Sequence, residues 1–184
     1  MFPNLAQGLL AACLLVLAAQ AQEPKSASDT VKLSLPDENW SLVLNLPGFS
    51  VEKNEVQLDG RRYLFAQNLA TGVILSAYLE KVKTPADMAG CQASLEARAK
   101  ASTSKKMGES IFDLNGMKVL EYLVPEFDGR RVRQKNFFVC IPKEDVFVNI
   151  HLLKVAWQLG QEKLFAAILA NLRFEENTRA SGTP

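Results

Sequence analysis

The residues whose side chains could do chemistry are few. His151 is the only histidine of the 184 residues, and there are three cysteines. A zinc site needs about three or four such ligands converging at short spacings, which these residues do not provide. The Gly-x-Ser-x-Gly turn of many hydrolases and the glycine-rich loops that bind phosphate are both absent. The sequence therefore predicts no catalytic residue, no metal site and no cofactor.

His151 belongs to a segment that reads as a strand, 146–155. Val and Ile residues occupy one alternating set of positions in this segment. The other set contains Phe147, Asn149, His151 and Leu153. Because side chains alternate across a strand, His151 faces away from the apolar set. We expect a half-buried histidine that is hydrogen-bonded to a neighbour, rather than a base or a metal ligand.

Basic residues are concentrated in two segments that each contain Asp-Gly followed by two arginines. This candidate basic contact surface consists of Arg61, Arg62, Arg130, Arg131, Arg133 and Lys135. Strict alternation would place the last three of these residues on one face of a strand as a short ladder. The surface has two interpretations: a contact for anionic lipid, polysaccharide or an acidic partner, or a solvated hairpin that protects an edge strand from aggregation.

The start of the chain has the pattern of a signal peptide. Residues 8–21 carry no charge, and the apolar run 9–19 is too short to span a bilayer core of about 30 Å as a helix. The run ends in the small-x-small pattern Ala19-Gln20-Ala21, which predicts cleavage after Ala21. We expect an exported protein, periplasmic or secreted, with no membrane span after processing. In the alternative, residues 10–13 act as a lipobox and Cys13 is lipidated.

Removal of Cys13 leaves Cys91 and Cys140 in an oxidising compartment. An even cysteine count in an exported protein favours a disulfide, here Cys91–Cys140. The alternative is two buried thiols that act as small apolar residues.

The elements that must position these residues are strands and two helices. After a flexible leader (22–30), one domain is predicted over 31–174, followed by a disordered tail (175–184). Strands are predicted over 40–45, 50–58, 61–68, 73–82, 111–114, 117–124, 131–141 and 146–155. Hairpin turns are predicted at Asp59-Gly60, Asn115-Gly116 and Asp128-Gly129. Helices are predicted over 85–101 and 157–172, with a loop at 101–110.

This order of elements predicts an α+β fold, an antiparallel sheet with helices packed on it. The two segments 58–62 and 127–131 each precede a strand, a turn, a strand and a helix. That similarity favours a duplicated β-β-β-α unit.

The chain resembles the PsbP-like proteins, which include thylakoid-lumen extrinsic proteins and bacterial DcrB-type envelope lipoproteins. The resemblance lies in the exported chain, the hairpins, the opening segment Trp40-Ser-Leu-Val-Leu-Asn-Leu-Pro-Gly-Phe49 and the closing segment 164–174. It covers residues 31–174 as an order of elements. It implies a PsbP-like sandwich and an accessory or binding role, and no catalytic or metal-binding motif is carried over.

We therefore expect a non-enzymatic binding or accessory protein of the cell envelope or secreted fraction. Its partner would be a protein, a lipid or a small ligand, and nucleic acid is disfavoured by the net charge of +1. The alternative is a small exported hydrolase with dispersed active-site residues.

The first testable prediction concerns processing. The exported protein should begin at Gln22, and intact mass or N-terminal sequencing of that form checks it. A blocked, acylated Cys13 at the N-terminus would instead show that the protein is an anchored lipoprotein.

Overall fold

The computed structural model describes residues 29–177. The predicted signal peptide with its cleavage site after Ala21, Cys13, most of the leader and the tail beyond residue 177 lie outside the described residues.

Strands dominate this part of the chain, and two helices interrupt them. The elements are β1 (Thr30–Leu33), β2 (Trp40–Asn45), β3 (Ser50–Val56), β4 (Arg62–Asn68), β5 (Val73–Lys81), α1 (Met88–Ala101), β6 (Met107–Leu114), β7 (Met117–Phe127), β8 (Arg130–Lys143), β9 (Val146–Lys154), α2 (Glu162–Ala170) and β10 (Arg173–Glu176).

The strands form two antiparallel sheets. The larger sheet has the order β3-β4-β5-β9-β8-β7-β6, and the smaller one has the order β1-β2-β10. The main core lies between the two sheets and includes the apolar side of α2, whereas α1 packs on the opposite face of the larger sheet. This arrangement confirms the predicted α+β fold.

Neither helix within residues 29–177 is long and apolar enough to cross a membrane.

The alternation of buried and more exposed side chains along the strands explains why the two sheets pack face to face. In β5 the residues Val73, Leu75, Ala77 and Leu79 are at most 2% exposed, and the residues between them are half-buried. In the smaller sheet Trp40 packs edge-on against Phe174 with ring centroids 5.4 Å apart. The apolar sides of both sheets therefore face each other.

Two hairpin turns have the predicted backbone. Asn115 and Gly116 have φ of 49° and 79°, and Asp128 and Gly129 have φ of 51° and 69°. Both central residues are thus left-handed, as the type I′ turn requires, and Asn-Gly and Asp-Gly are its preferred sequences.

The β3–β4 turn differs from that expectation because only its glycine is left-handed, with φ of 84° at Gly60. The Gly60 N–H donates to the Gln57 carbonyl, and the Gln57 N–H donates to the Arg61 carbonyl. The Asp59 carboxylate accepts the Arg61 N–H at 3.1 Å. This side-chain bond stabilises a longer turn in place of a two-residue one.

Helix α1 begins three residues later than predicted. Asp87 caps it, because the Asp87 carboxylate accepts the Gly90 N–H at 2.7 Å. The Ala86 N–H is already used, since it donates to the Glu144 carbonyl at 2.7 Å. The pairing of this segment with the β8–β9 turn therefore moves the start of the helix from the predicted residue 85.

Helix α2 is shorter than the predicted 157–172. Ala156 and Gly160 have φ of 53° and 85°, which no α-helix contains. Trp157 lies in this loop, where it is 6% exposed and packs on Phe165 with ring centroids 5.1 Å apart. The apolar pattern of residues 157–161 therefore reflects one anchoring side chain rather than a helical turn.

Other element boundaries also differ from those expected. β6 begins at Met107, inside the predicted loop 101–110, because Met107 pairs with Leu123 of β7. β1 begins at Thr30 and β10 ends at Glu176, so the paired strands extend one residue before and two residues after the predicted domain.

The strands follow the proposed duplication, but the helices do not. The meanders β3-β4-β5 and β7-β8-β9 lie side by side and meet where β5 pairs with β9. The two helices lie on opposite faces of the larger sheet, and β6 has no counterpart. The repeat is therefore limited to three strands.

Cys91 of α1 and Cys140 of β8 form a disulfide with their Cα atoms 5.5 Å apart. Both residues are fully buried in a small core with Leu95 and Phe138. The predicted pairing is confirmed, and it ties α1 to the sheet.

Replacing both cysteines, Cys91→Ala with Cys140→Ala, should lower the free energy of unfolding. The chain-entropy estimate for a loop of this length is about 4 kcal/mol, an upper figure because native-state strain subtracts from it. Urea unfolding of the double variant beside Ala93→Ser, an exposed position of α1, measures the difference. A loss below about 1 kcal/mol would contradict a stabilising role for the bond.

Candidate binding face

One half of the larger sheet has no covering layer on the side that carries α1. That helix packs mainly against β7 and β8 and also touches Phe147 in the first half of β9, and among the described elements it leaves β4, β5 and the rest of β9 uncovered. We call this region the open face. It consists of Tyr63, Phe65, Gln67, Ile74, Ser76, Tyr78, Asn149, His151 and Leu153, all half-buried.

The open face is organised in rows across three strands. One row is Phe65, Ser76 and His151, in which each residue is the direct cross-strand partner of the next. The flanking rows are Tyr63–Tyr78–Asn149 and Gln67–Ile74–Leu153. Aromatic, amide and aliphatic groups therefore alternate over a surface three strands wide, or about 10 Å.

A stack of aromatic and cationic groups forms one side of this surface. The Tyr63 and Tyr78 rings are stacked with centroids 4.6 Å apart, and the Arg61 guanidinium lies 5.2 Å from the Tyr78 centroid. Asp59 holds Arg61 in an ion pair at 2.6 Å. Burial raises the pKa of the Tyr63 phenol, and the neighbouring Tyr78 adds to this rise. Tyr63 is therefore protonated at neutral pH and able to donate a hydrogen bond.

His151 lies at the other side of the open face, where α1 begins to cover the sheet. Its ring stacks on Phe138 with centroids 3.9 Å apart and an interplanar angle of 10°. Its Nε2 is 3.1 Å from the Asn136 Oδ1, which also accepts the Gln134 amide at 2.9 Å. Because Oδ1 only accepts, the Nε2 carries the proton. The expectation of a half-buried, hydrogen-bonded histidine is confirmed.

The environment of His151 keeps the ring neutral. Burial lowers the pKa of His151 to about 4, and the positive charge of Arg98 adds to this effect. Arg98 lies above Phe138, with its guanidinium carbon 5.0 Å from the ring centroid. A general base that works near neutral pH needs a higher pKa.

Ser76 is the only hydroxyl directly opposite His151 in the sheet register. Within residues 29–177 no hydrogen bond joins the two side chains, and the imidazole Nε2 is committed to Asn136. The same part of the chain holds no group of three or more histidines, cysteines or carboxylates placed to bind a metal ion.

The structure divides the candidate basic surface between two ends of the larger sheet. Arg62 lies in the same cross-strand row as Ile141 of β8, whereas Arg130 and Arg131 precede Lys135 at the opposite end of that strand. From Lys135 to Ile141 is six residues, or about 20 Å along a strand. The two arginine pairs therefore do not form one surface.

The predicted ladder of Arg131, Arg133 and Lys135 is wrong. β8 contains a bulge, with φ of 44° at Arg133, and the register against β7 shifts there by one residue. Arg131 lies opposite Glu126 and Lys135 lies opposite Leu123. These two β7 residues are three positions apart, so Arg131 and Lys135 face opposite sides of the sheet.

The partners of the basic residues also differ between the two ends. Arg61 pairs with Asp59, and Arg62 donates to the side chain of Asn54. Lys135 pairs with Glu121 at 2.7 Å. Arg130, Arg131 and Arg133 make no ion pair with any residue between 29 and 177.

A cleft of about 500 Å³ lies beside the β3–β4 turn. Leu35 and Pro36 line it together with Arg61 and Lys81. Arg61 pairs with Asp59, and Lys81 pairs with Glu38 at 2.8 Å. Its basic groups are thus already neutralised by carboxylates, which leaves the open face as the better candidate site.

Sequence reasoning missed the open face, although its signal was present. Aromatic and polar residues at 63, 65, 67, 74, 76 and 78 alternate with the buried positions of two adjacent strands. The missing information was that α1 covers other strands.

Comparisons with known proteins bear on the fold. No family model and no curated protein matches the sequence. The solution structure of cyanobacterial PsbP (CyanoP) from Synechocystis sp. PCC 6803 matches with a TM-score of 0.53 and 11% identity, over 84% of this chain and 96% of that chain. The chain therefore has a PsbP-like fold, as the resemblance implied.

The depressed pKa of His151 predicts a loss of stability in mild acid. The unfolded chain takes up a proton below a pH of about 6.5, whereas the folded protein does so only near pH 4. The free energy of unfolding should therefore fall as the pH falls through this window, by up to about 3 kcal/mol from this group.

Urea unfolding of the wild type and of His151→Gln at pH 7 and pH 4.5 tests this. Protonation of carboxylates changes the free energy of unfolding equally in both proteins. The variant should therefore lose less stability than the wild type when the pH is lowered. Equal losses would show that His151 is not the group responsible.

Proposed function

We propose that this protein, with its PsbP-like fold, is an exported, non-enzymatic binding or accessory protein of the cell envelope or secreted fraction. Its partner is a protein, a lipid or a small ligand, held on the open face.

The observation that carries this proposal is the uncovered half of the larger sheet. Its three strands present half-buried tyrosine, phenylalanine and amide side chains that no described element covers. Aromatic residues, tyrosine above all, are enriched at binding surfaces because they combine a large apolar area with a polar tip. The amides of Gln67 and Asn149 add groups that fix the orientation of a partner.

Two features support export. The uncharged segment that ends in Ala19-Gln20-Ala21 has the form of a signal peptide. The disulfide between Cys91 and Cys140 is of the kind that persists in oxidising compartments and is rare in the cytosol. The PsbP-like fold is compatible with this location.

The nature of the partner follows from charge as well as shape. The net charge is +1, and the arginines are split between two ends of the sheet rather than aligned along a groove. Nucleic-acid binding needs a continuous basic stripe. We therefore propose a partner that is recognised through apolar and hydrogen-bonding contacts.

The open face predicts where a partner can be cross-linked. A photo-reactive amino acid placed at Phe65, in protein exported by its own cell, should give a discrete adduct. The same residue placed at Leu58, which is fully exposed on the β3–β4 turn, is the matched control and should give none. Tyr63→Ala should reduce the Phe65 adduct about tenfold, the loss expected when a central aromatic residue is truncated.

Failure to find an adduct at Phe65, or equal adducts at both positions, would contradict binding on the open face. Recovery of the protein only from the cytoplasm would contradict export. The alternative hydrolase is tested separately with a fluorophosphonate probe, which labels activated serines. Labelling that is lost in Ser76→Ala would favour the enzyme, whereas we expect no labelling.

A further inference from the structure

We infer that one end of the larger sheet docks on an anionic phospholipid surface. We call it the arginine end. It comprises the β4–β5 turn, the β7–β8 hairpin and the loop after β9, and its key residues are Leu69, Phe127, Arg130, Arg131, Val155 and Leu159.

The strand register places these segments together. Leu69 follows Asn68, which lies in the same cross-strand row as Lys154, and Val155 follows Lys154. The Ala156 N–H donates to the Val132 carbonyl at 2.9 Å, which joins the loop after β9 to the base of the β7–β8 hairpin. Three loops from neighbouring strands therefore end at the same edge of the molecule.

The apolar side chains of the arginine end protrude from it. Eight large apolar side chains are exposed within residues 29–177, and four of them belong to the arginine end. A fifth, Met107 at the start of β6, lies at the same end of the sheet. Leu69 is 82% exposed, Leu159 is 91% exposed and Phe127 is 64% exposed. Side chains this exposed stand on separate loops and do not form the flat, packed patch of a protein interface. They suit insertion between lipid headgroups.

The charges of this end complement an anionic headgroup. Arg130 and Arg131 are exposed and have no ion pair within the described residues. Glu126 and Asp128 lie on the same hairpin, and with Arg133 included the hairpin carries one net positive charge. The guanidinium group binds phosphate through two parallel hydrogen bonds. Arginines without an ion pair, beside protruding apolar groups, therefore suit an anionic phospholipid surface better than they suit a neutral one.

The opposite end of the sheet provides the contrast. Its β3–β4 turn also carries an exposed leucine and two arginines, with Leu58 fully exposed. There Arg61 is bound by Asp59 and Arg62 by Asn54, so neither guanidinium is free for a phosphate. This turn is a matched control of the same composition.

Co-sedimentation with phospholipid vesicles tests the inference. The protein is the exported form, with its N-terminus established by intact mass, so that the apolar run 8–21 does not contribute. Vesicles of equimolar phosphatidylglycerol and phosphatidylcholine should bind the wild type, with affinity that falls as salt rises, and vesicles of phosphatidylcholine alone should bind it weakly.

Two double variants separate the apolar from the charged contribution. Leu69→Ser with Leu159→Ser should lower the partition coefficient about tenfold, as loss of buried apolar area predicts. Arg130→Ser with Arg131→Ser should lower it by about ten- to thirtyfold and flatten the salt dependence. Leu58→Ser with Arg62→Ser, at the opposite end, should leave it unchanged.

Several outcomes would overturn the inference. They are no preference of the wild type for phosphatidylglycerol, no effect of either variant of the arginine end, or an equal loss in the control variant. Retention on a polyglutamate matrix without vesicle binding would also overturn it, because the partner would then be an acidic protein. Unchanged thermal unfolding midpoints show that the variants are folded. If one variant of the arginine end does not fold, Phe127→Ser replaces it in the same assay.

Discussion

The width of the larger sheet is the constraint on which the rest of the structure depends. Seven strands at about 4.8 Å spacing span about 29 Å, whereas one helix with its side chains is about 10 Å wide. On one side the second sheet and α2 cover the apolar face. On the other side α1 is the one described element that packs over β7 and β8. The open face is the area that one helix cannot cover, and its side chains are correspondingly mixed in polarity.

The position of α1 decides which half of the sheet is covered. The core beneath it is small and is formed by eight buried residues, among which Cys91 and Cys140 are joined to each other. A helix that packs on so little apolar area gains from a covalent tie to the strand below it. Burial lowers the pKa of His151, and Arg98 of the same helix, which lies over Phe138, lowers it further. The helix thereby sets the border of the open face and contributes to the charge state at that border.

What the sequence could predict was local. Asn115-Gly116 and Asp128-Gly129 carry their turn type in two residues, and the alternation over 146–155 placed His151 on the correct face. The predictions that failed concern features that depend on residues distant in the sequence. The start of α1 is set by Glu144, and the bulge at Arg133 appears only in the pairing with β7. The open face depends on which strands α1 covers, a choice made by tertiary packing that no spacing within a strand encodes.

The pairing of β2 with β10 has a consequence for how the chain reaches its native state. β2 lies between β1, its neighbour in sequence, and β10, at the far end of the described residues. A strand with buried apolar residues therefore keeps one edge unpaired until the residues of β10, about 130 positions later in the chain, are present. Synthesis delivers the N-terminus first, so the smaller sheet is completed after the other described strands. Until then one edge of β2 is unpaired, and an unpaired strand edge is a template for pairing with another chain.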